Sequence, residues 1–373
     1  MKKILFLSPL PPPHYGSAMS SETCLSILKS SPDFEVRNIK VNYSKSMSDV
    51  GKISLSKISG LFCVKKQIKK EIIDFGPDII YFVPATSGFG LIRDYLFFKQ
   101  ARKFYAKPVL FHIRSRINDE EWNKKSARRR IFDMLKGNKA IVLGESLVSD
   151  LHSLVEKENI FVLPNAIKNE IPDREFKKII RSREKKKNSD LPNILFLSNM
   201  DETKGWFKLL EACKILKSRG TNFKCSFVGE FPGKMEEERF ESYVKSNSLE
   251  GCAVYLGKKT GDEKNLVLAE SDILVFPTEY KLETFGRVIL EGMMFGLPVI
   301  ANGIATIPDT IIDGKTGFVL RENSPEEIEE KIESLLKNKK LRTSMGNLGR
   351  KRFLESYQLE GYSKKFISII MKA

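Results

Sequence analysis

The chain has 373 residues, 41% hydrophobic and 29% charged, with a net charge of +16; this excludes a disordered or fibrous protein and leaves enough chain for two cores. The excess charge sits in one half: residues 1–190 hold 36 basic against 21 acidic residues, and residues 191–373 hold 27 against 26. Such asymmetry points to an anionic partner for the first half, nucleic acid or a membrane surface.

Met1–Leu7 begins with two lysines, but its apolar run is cut at Ser8-Pro9, too short for a signal segment, and is expected to form the first strand. Further strands are expected at Glu35–Ile39, Asp78–Val83, Val109–His112, Ala140–Leu143 and Ile160–Val162, alternating with helical patterns, which indicates a parallel, doubly wound α/β sheet. The loop Pro9–Ser17 is stiffened by prolines and ends in Gly16, with a helix expected from about Ala18; it places bare amides at the carboxyl edge of the sheet, where such sheets bind ligands. His112 ends a strand at that edge, and Arg114 and Arg116 follow in its loop, either solvated or available to an acceptor phosphate.

Helical stretches at Leu61–Ile73 and Leu96–Tyr105, and the cluster Lys124-Lys125 with Arg128–Arg130, carry many bases beside apolar positions. Their apolar stripes are expected to pack on the sheet, with an interfacial, lipid-contacting surface as the alternative use. No run of roughly eighteen apolar residues occurs, so no spanning helix is expected. The five cysteines form no C-x-x-C pair and read as small buried hydrophobes in a reducing compartment. No His, Cys, Asp or Glu spacing suits a metal.

A charge-dense stretch between Pro172 and Pro192 reads as a solvated linker. A new strand/helix alternation then starts at Asn193–Leu197, followed by Asn199 and Lys204-Gly205. At Ile273–Ala301 a strand end, a loop carrying Glu283, a helix opening near Gly286 and another apolar strand follow in order. Glu283 and Glu291 lie eight positions apart, about 12 Å of rise if wholly helical, which lets both carboxylates look to one side. Between them the helix start, with free N–H groups and partial positive charge, suits a phosphate. An elongated ligand with a central diphosphate and hydroxyl-rich ends, such as a sugar nucleotide, fits this arrangement.

Glu283 and Glu291, with Phe285-Gly286 between them and Gly296-Leu297-Pro298-Val299 after, resemble the E-x7-E motif of retaining glycosyltransferases of the GT-B fold, specifically glycosyltransferase family 4. The resemblance extends over most of the chain, densest from Asn193 to Val319. It implies two Rossmann-like domains facing each other across a cleft: an acceptor-side domain at 1–175, joined by the C-terminal helix 357–373, and a nucleotide-sugar domain at 176–356. It implies that Glu283 acts on the donor sugar with His112, that Glu291 binds ribose, and that Gly16, Lys204 and the amides of Phe285 and Gly286 hold the diphosphate.

The chain departs from the family pattern where Asn199 takes the place of an arginine, Ala305-Thr306 that of a glycine pair, and Ala166 that of a hinge glycine. The family's activity would be metal-independent transfer from a UDP- or GDP-sugar, with no separate cofactor. The acceptor would be a lipid-linked or polysaccharide precursor, and the protein cytoplasmic and peripheral on the anionic inner face of the plasma membrane. A non-catalytic sugar-nucleotide binder of the same fold is one alternative. A basic nucleic-acid-binding protein is another, although no helix-turn-helix, zinc or RNP signature accompanies the charge.

Overall fold

Twelve strands, all parallel, form two six-stranded sheets in the computed structural model, which describes residues 1–13, 16–41, 55–117, 131–185 and 191–373 (for 55–58 the backbone alone). The first sheet holds β1 (Lys2–Ser8), β2 (Phe34–Lys40), β3 (Ile79–Phe82), β4 (Leu110–His112), β5 (Lys139–Val142) and β6 (Ile160–Val162), in the order β2-β1-β3-β4-β5-β6. The second holds β7 (Asn193–Leu197), β8 (Lys224–Val228), β9 (Ala253–Tyr255), β10 (Ile273–Phe276), β11 (Val299–Asn302) and β12 (Gly317–Leu320), in the order β12-β11-β10-β7-β8-β9. Ile4 to Leu7, Ile79 to Phe82 and Ile273 to Phe276 are buried without alternation, because helices cover both faces of a parallel sheet. Register runs Leu5 to Ile80 in the first sheet, and Leu274 to Leu195 and Val299 in the second.

In the second sheet the strand order reverses between β7 and β10. Crossovers leave these neighbours in opposite directions, which opens a crevice at their carboxyl ends. Residues from the loops after β7 and β10 therefore meet there. The corresponding point of the first sheet lies between β1 and β3.

The chain divides into two compact units, Met1–Asn165 with Tyr362–Ala373, and Ala166–Gly361. The division falls before 175/176 because Ile167 pairs with Gln358 and exchanges backbone bonds with Tyr357 and Leu359 at 3.1 Å each, while Arg350 donates to Asn169 Oδ1 at 2.9 Å and to Ile171 O at 2.7 Å. At the other crossing, Tyr362 and Phe366 join the first core: Tyr362 lies 3.0 Å from Cys24 Sγ, and Phe366 packs edge-on against Tyr81.

The stretch expected to be a solvated linker is a helix, Asp173–Lys185, anchored to the second unit. Phe176 lies where a Cβ on Gly296 would fall, and Arg183 donates to Leu268 O and Phe295 O at 2.8 Å and to Ala269 O at 3.2 Å. One guanidinium thus satisfies carbonyls at the ends of two helices, the orphan acceptors that any helix terminus leaves. Burial, only partly offset by Asp272, lowers the Arg183 pKa to about 10. Lys186 and Lys187 lie outside the described residues.

The basic helices run from Leu55 to Phe75 and from Gly88 to Arg102, the second ending before Phe104 and Tyr105. Val64, Ile68 and Ile72 are buried, as the stripe requires. Among the cysteines Cys24, Cys213 and Cys225 are buried, but Cys63 is exposed, against expectation, because it lies on the outer side of its helix. The cluster at Lys124 to Arg130 and the loop residue His14 lie outside the described residues. Among the described residues no helix is long and apolar enough to cross a membrane.

Candidate active site

Lys204 and Glu283 meet at the reversal point of the second sheet. Lys204 lies after β7, where Asp201 Oδ1 accepts the Thr203 N–H at 2.9 Å and caps a single turn, Glu202–Lys204. Gly205 follows with φ +88, and a Cβ there would fall 2.2 Å from Pro277 O, so only glycine lets this turn approach the end of β10 so closely. Thr203 O accepts the Glu279 N–H at 2.6 Å, which stitches the two loops together.

Lys204 Nζ lies 2.9 Å from Glu283 Oε2, each side chain 16% exposed, and 3.9 Å from the centre of the Tyr280 ring. The other Glu283 oxygen, Oε1, accepts the Gly286 N–H at 3.0 Å. Gly286, at φ +68, precedes the helix Arg287–Met294, and its carbonyl accepts the Ile289 N–H at 2.9 Å in the opening turn. The amides of Arg287 and Val288 precede that bond and belong to the set a helix start leaves without an intrahelical acceptor. Thr306 donates its N–H and its hydroxyl to Thr284 O at 3.0 and 2.6 Å, fixing the chain just after Glu283. Ala305, at φ +47, keeps the left-handed backbone that the absent glycine would have favoured.

Glu291 lies on the following helix and pairs with a different cation: Lys264 Nζ is 2.8 Å from Glu291 Oε1. The two acids are therefore not related by eight residues of continuous helix. Glu283 stands in the loop four residues before Arg287, and its direction is set by Lys204 and Gly286. Phe285 is 3% exposed and packs against Tyr357, so its side chain is part of the core. Asn199 is exposed, between Ser198 and Met200, whose N–H groups donate to Val228 O and Glu230 O at 3.0 Å.

In the first unit His112 is 1% exposed, and its Nδ1 lies 2.5 Å from the Tyr81 hydroxyl. Burial, reinforced by the Arg114 charge, holds the His112 pKa well below the usual imidazole range, so the ring is neutral. Arg114, 8% exposed, turns inward. It donates to Ser17 O at 2.8 Å and to Cys24 Sγ at 3.4 Å, fixing the start of the helix Gly16–Ser30. Burial opposes its charge, and Tyr81, Cys24 and Tyr362 more than offset this, so its pKa is raised. Arg116 is half exposed, 3.7 Å from Asp150 Oδ2. Around Gly16 nothing among the described residues lies within 4 Å of an added Cβ, so packing does not demand glycine there.

The structure thus gathers Lys204, Glu283 and Gly286, gives Glu291 a separate partner, and commits Arg114 and the Phe285 side chain to structure. Neither Tyr280 nor Lys264 was assigned a role from the sequence: Tyr280 shares the Glu283 loop, whereas Lys264, which follows the order of the resembling family, lies on the helix Gly261–Glu270 before β10, and its pairing with Glu291 spans 27 positions. Among the described residues no group of three or more His, Cys, Asp or Glu is placed to hold a metal ion.

Residues 177–352 match the family model for glycosyl transferases group 1. An "uncharacterized 41.2 kDa protein in cps region" of Klebsiella pneumoniae is 26% identical over 307 residues, 81% of this chain and 80% of that one. The capsular polysaccharide biosynthesis glycosyltransferase CapM of Staphylococcus aureus is 30% identical over 159 residues, 42% of this chain and 40% of its own length. The crystal structure of Anabaena Alr3699/HepE in complex with UDP has a TM-score of 0.74 at 14% identity and covers 100% of both chains. Sucrose-phosphate synthase from Thermosynechococcus elongatus also gives 0.74, at 16% identity, over 100% of this chain and 99% of that one. The fold is GT-B, and the matched model together with the relatives supports a glycosyltransferase of the GT-B superfamily.

Proposed function

We propose that the protein is a retaining, metal-independent glycosyltransferase of family 4 type that takes a hexose from a UDP- or GDP-sugar. The observation that carries this reading is the joint placement of Lys204, Glu283 and the Gly286 helix start at the β7/β10 reversal point, where a doubly wound sheet binds its ligand. Negative charge grows on the leaving diphosphate during transfer. Lys204 and the amides at the start of the Arg287–Met294 helix are the groups that stabilise it, and fixed donors serve best where charge develops. Glu283 serves the donor sugar and Glu291 the ribose hydroxyls. Asn199 is neutral, which leaves Lys204 the greater share of the phosphate charge. Two complexes of Alr3699/HepE, with UDP and with UDP-glucose, support the choice of ligand class.

The acceptor in this reading is a lipid-linked or polysaccharide precursor at the cytoplasmic membrane face, supported by the capsule-biosynthesis relative and by the basic first half. A panel of sugar nucleotides screened by thermal shift tests the donor, since a ligand of the folded state raises the melting temperature by mass action. Product anomers resolved by NMR, with and without EDTA, test retention and metal independence. No stabilisation by any sugar nucleotide, an inverted product, or turnover lost in EDTA and restored by magnesium would each refute the corresponding part.

A further inference from the structure

Glu283 makes the bonds that an anionic ligand would make. One carboxylate oxygen takes the Lys204 ammonium at 2.9 Å, and the other takes the Gly286 N–H at the helix start at 3.0 Å. The ammonium is held from a further side by the Tyr280 ring. We propose that Glu283 is a resident anion in the place of the donor's phosphate, and that the phosphate must displace it before Glu283 can reach the sugar. This rests on the reading that Lys204 and the helix start hold donor phosphate.

The backbone around Glu283 is fixed, so the exchange is a side-chain rotation. Its own N–H donates to Tyr280 O at 2.8 Å, and Thr284 O accepts both bonds from Thr306. Two consequences follow from the charges. A phosphate can take over both the ammonium and the helix amides, because it brings negative charge and several acceptor oxygens. An uncharged nucleoside or a free sugar cannot, and leaves Glu283 in place. Glu283 is then a specificity-determining residue twice over: it admits phosphate-bearing ligands to the cradle, and it turns to the sugar only once phosphate has arrived.

A competitor inside the site lowers apparent affinity by the fraction of molecules in which it occupies the cradle. Glu283→Gln weakens that competitor by removing its charge. Calorimetric titration of the full chain with UDP, GDP, inorganic pyrophosphate and uridine reads the effect. The expected result is UDP or GDP, and pyrophosphate, binding about tenfold tighter to Glu283→Gln than to the parent protein, with uridine unchanged. Glu283→Ala serves as a second variant and shifts the same way. In a Lys204→Met background, where the ammonium is gone, binding is weaker and Glu283→Gln gains much less. Unchanged or weaker diphosphate binding by both Glu283 variants overturns the inference. If Lys204→Met weakens binding in that case, the donor reading stands alone. If neither UDP nor GDP binds any of these proteins, the donor reading falls, and this inference with it.

Discussion

Lys264 Nζ lies 2.8 Å from Glu291 Oε1, a pair of residues 27 positions apart on the helices that precede and follow β10. The side chains are 28% and 20% exposed, so the pair is partly shielded and its geometry is held. A carboxylate fixed by a cation on one oxygen keeps the other for ligand hydroxyls. Glu291→Gln is expected to weaken UDP binding by roughly 1.5–3 kcal/mol, the usual worth of a hydrogen bond to a charged group, with a smaller loss for Lys264→Met. The double variant should fall short of the sum, because Lys264 acts through Glu291. Calorimetry with UDP checks both; full additivity would detach Lys264 from the site.

Gly205 and Gly16 make a contrasting pair of stability predictions. At Gly205 a Cβ would lie 2.2 Å from a backbone oxygen, at φ +88, so neither space nor conformation admits a side chain. Gly205→Ala should cost about 2 kcal/mol or more, and because the loops after β7 and β10 share that turn, activity should fall with it. Gly16→Ala meets nothing among the described residues and should leave the melting temperature unchanged. Equal melting temperatures for Gly205→Ala and the parent chain would contradict the packing described.

His112 gives the pH prediction. Burial first, and then the Arg114 charge, lower its folded pKa well below 6.5, while the unfolded chain keeps the ordinary value. Below about pH 6.5 the unfolded state takes up a proton that the folded state refuses, so stability is lost as pH falls toward the folded pKa, at up to about 1.4 kcal/mol per pH unit. Above pH 6.5 this group contributes no slope. Denaturation at a series of pH values should show the decline, flattened in His112→Asn. An identical slope in that variant would place the titration elsewhere.

Much of this architecture was legible in the chain. The strands from Lys3 to Leu7 and from Ile273 to Phe276 declare themselves as unbroken apolar runs between turn residues, because a parallel strand is buried on both faces. Glu283 and Glu291 stood out through the glycines and proline around them. Partners distant in sequence were not legible. Nothing near Arg183 announces that it ends on the carbonyls of Leu268 and Phe295, so the default of a solvated charge was the wrong choice for it. The burial of His112 depends on Tyr81 and on a helix some 250 residues later, whose Tyr362 and Phe366 close the same cluster. Ala305 shows the converse: the residue departs from glycine while the backbone keeps the left-handed turn.

The last prediction concerns the outer face of the helix Leu55–Phe75. Its inner stripe, Val64, Ile68 and Ile72, is buried, yet Phe62 and Ile73 are 58% and 59% exposed on the opposite side. Phe62, Lys66, Lys69 and Ile73 follow i, i+4, i+7 and i+11 spacing, so two large apolar side chains share one stripe with two lysines. Lys69 Nζ also lies 5.3 Å from the ring of Phe104, itself 41% exposed, which extends the apolar surface beyond this helix. A purely solvated face gains nothing from exposed phenylalanine and isoleucine between lysines. An anionic bilayer uses both, the lysines at about 1 kcal/mol each near the headgroups and the apolar groups at the acyl boundary. The full chain is expected to cosediment with anionic vesicles and not with neutral ones. Charge-neutralising changes at Lys65, Lys66, Lys69 and Lys70 should abolish this at low salt, where screening is weak. Phe62→Ser with Phe104→Ser should leave the low-salt attraction and remove the part that survives high salt. Equal recovery with neutral and anionic vesicles, or no recovery with either at low salt, would return these lysines to the role of a solvated face.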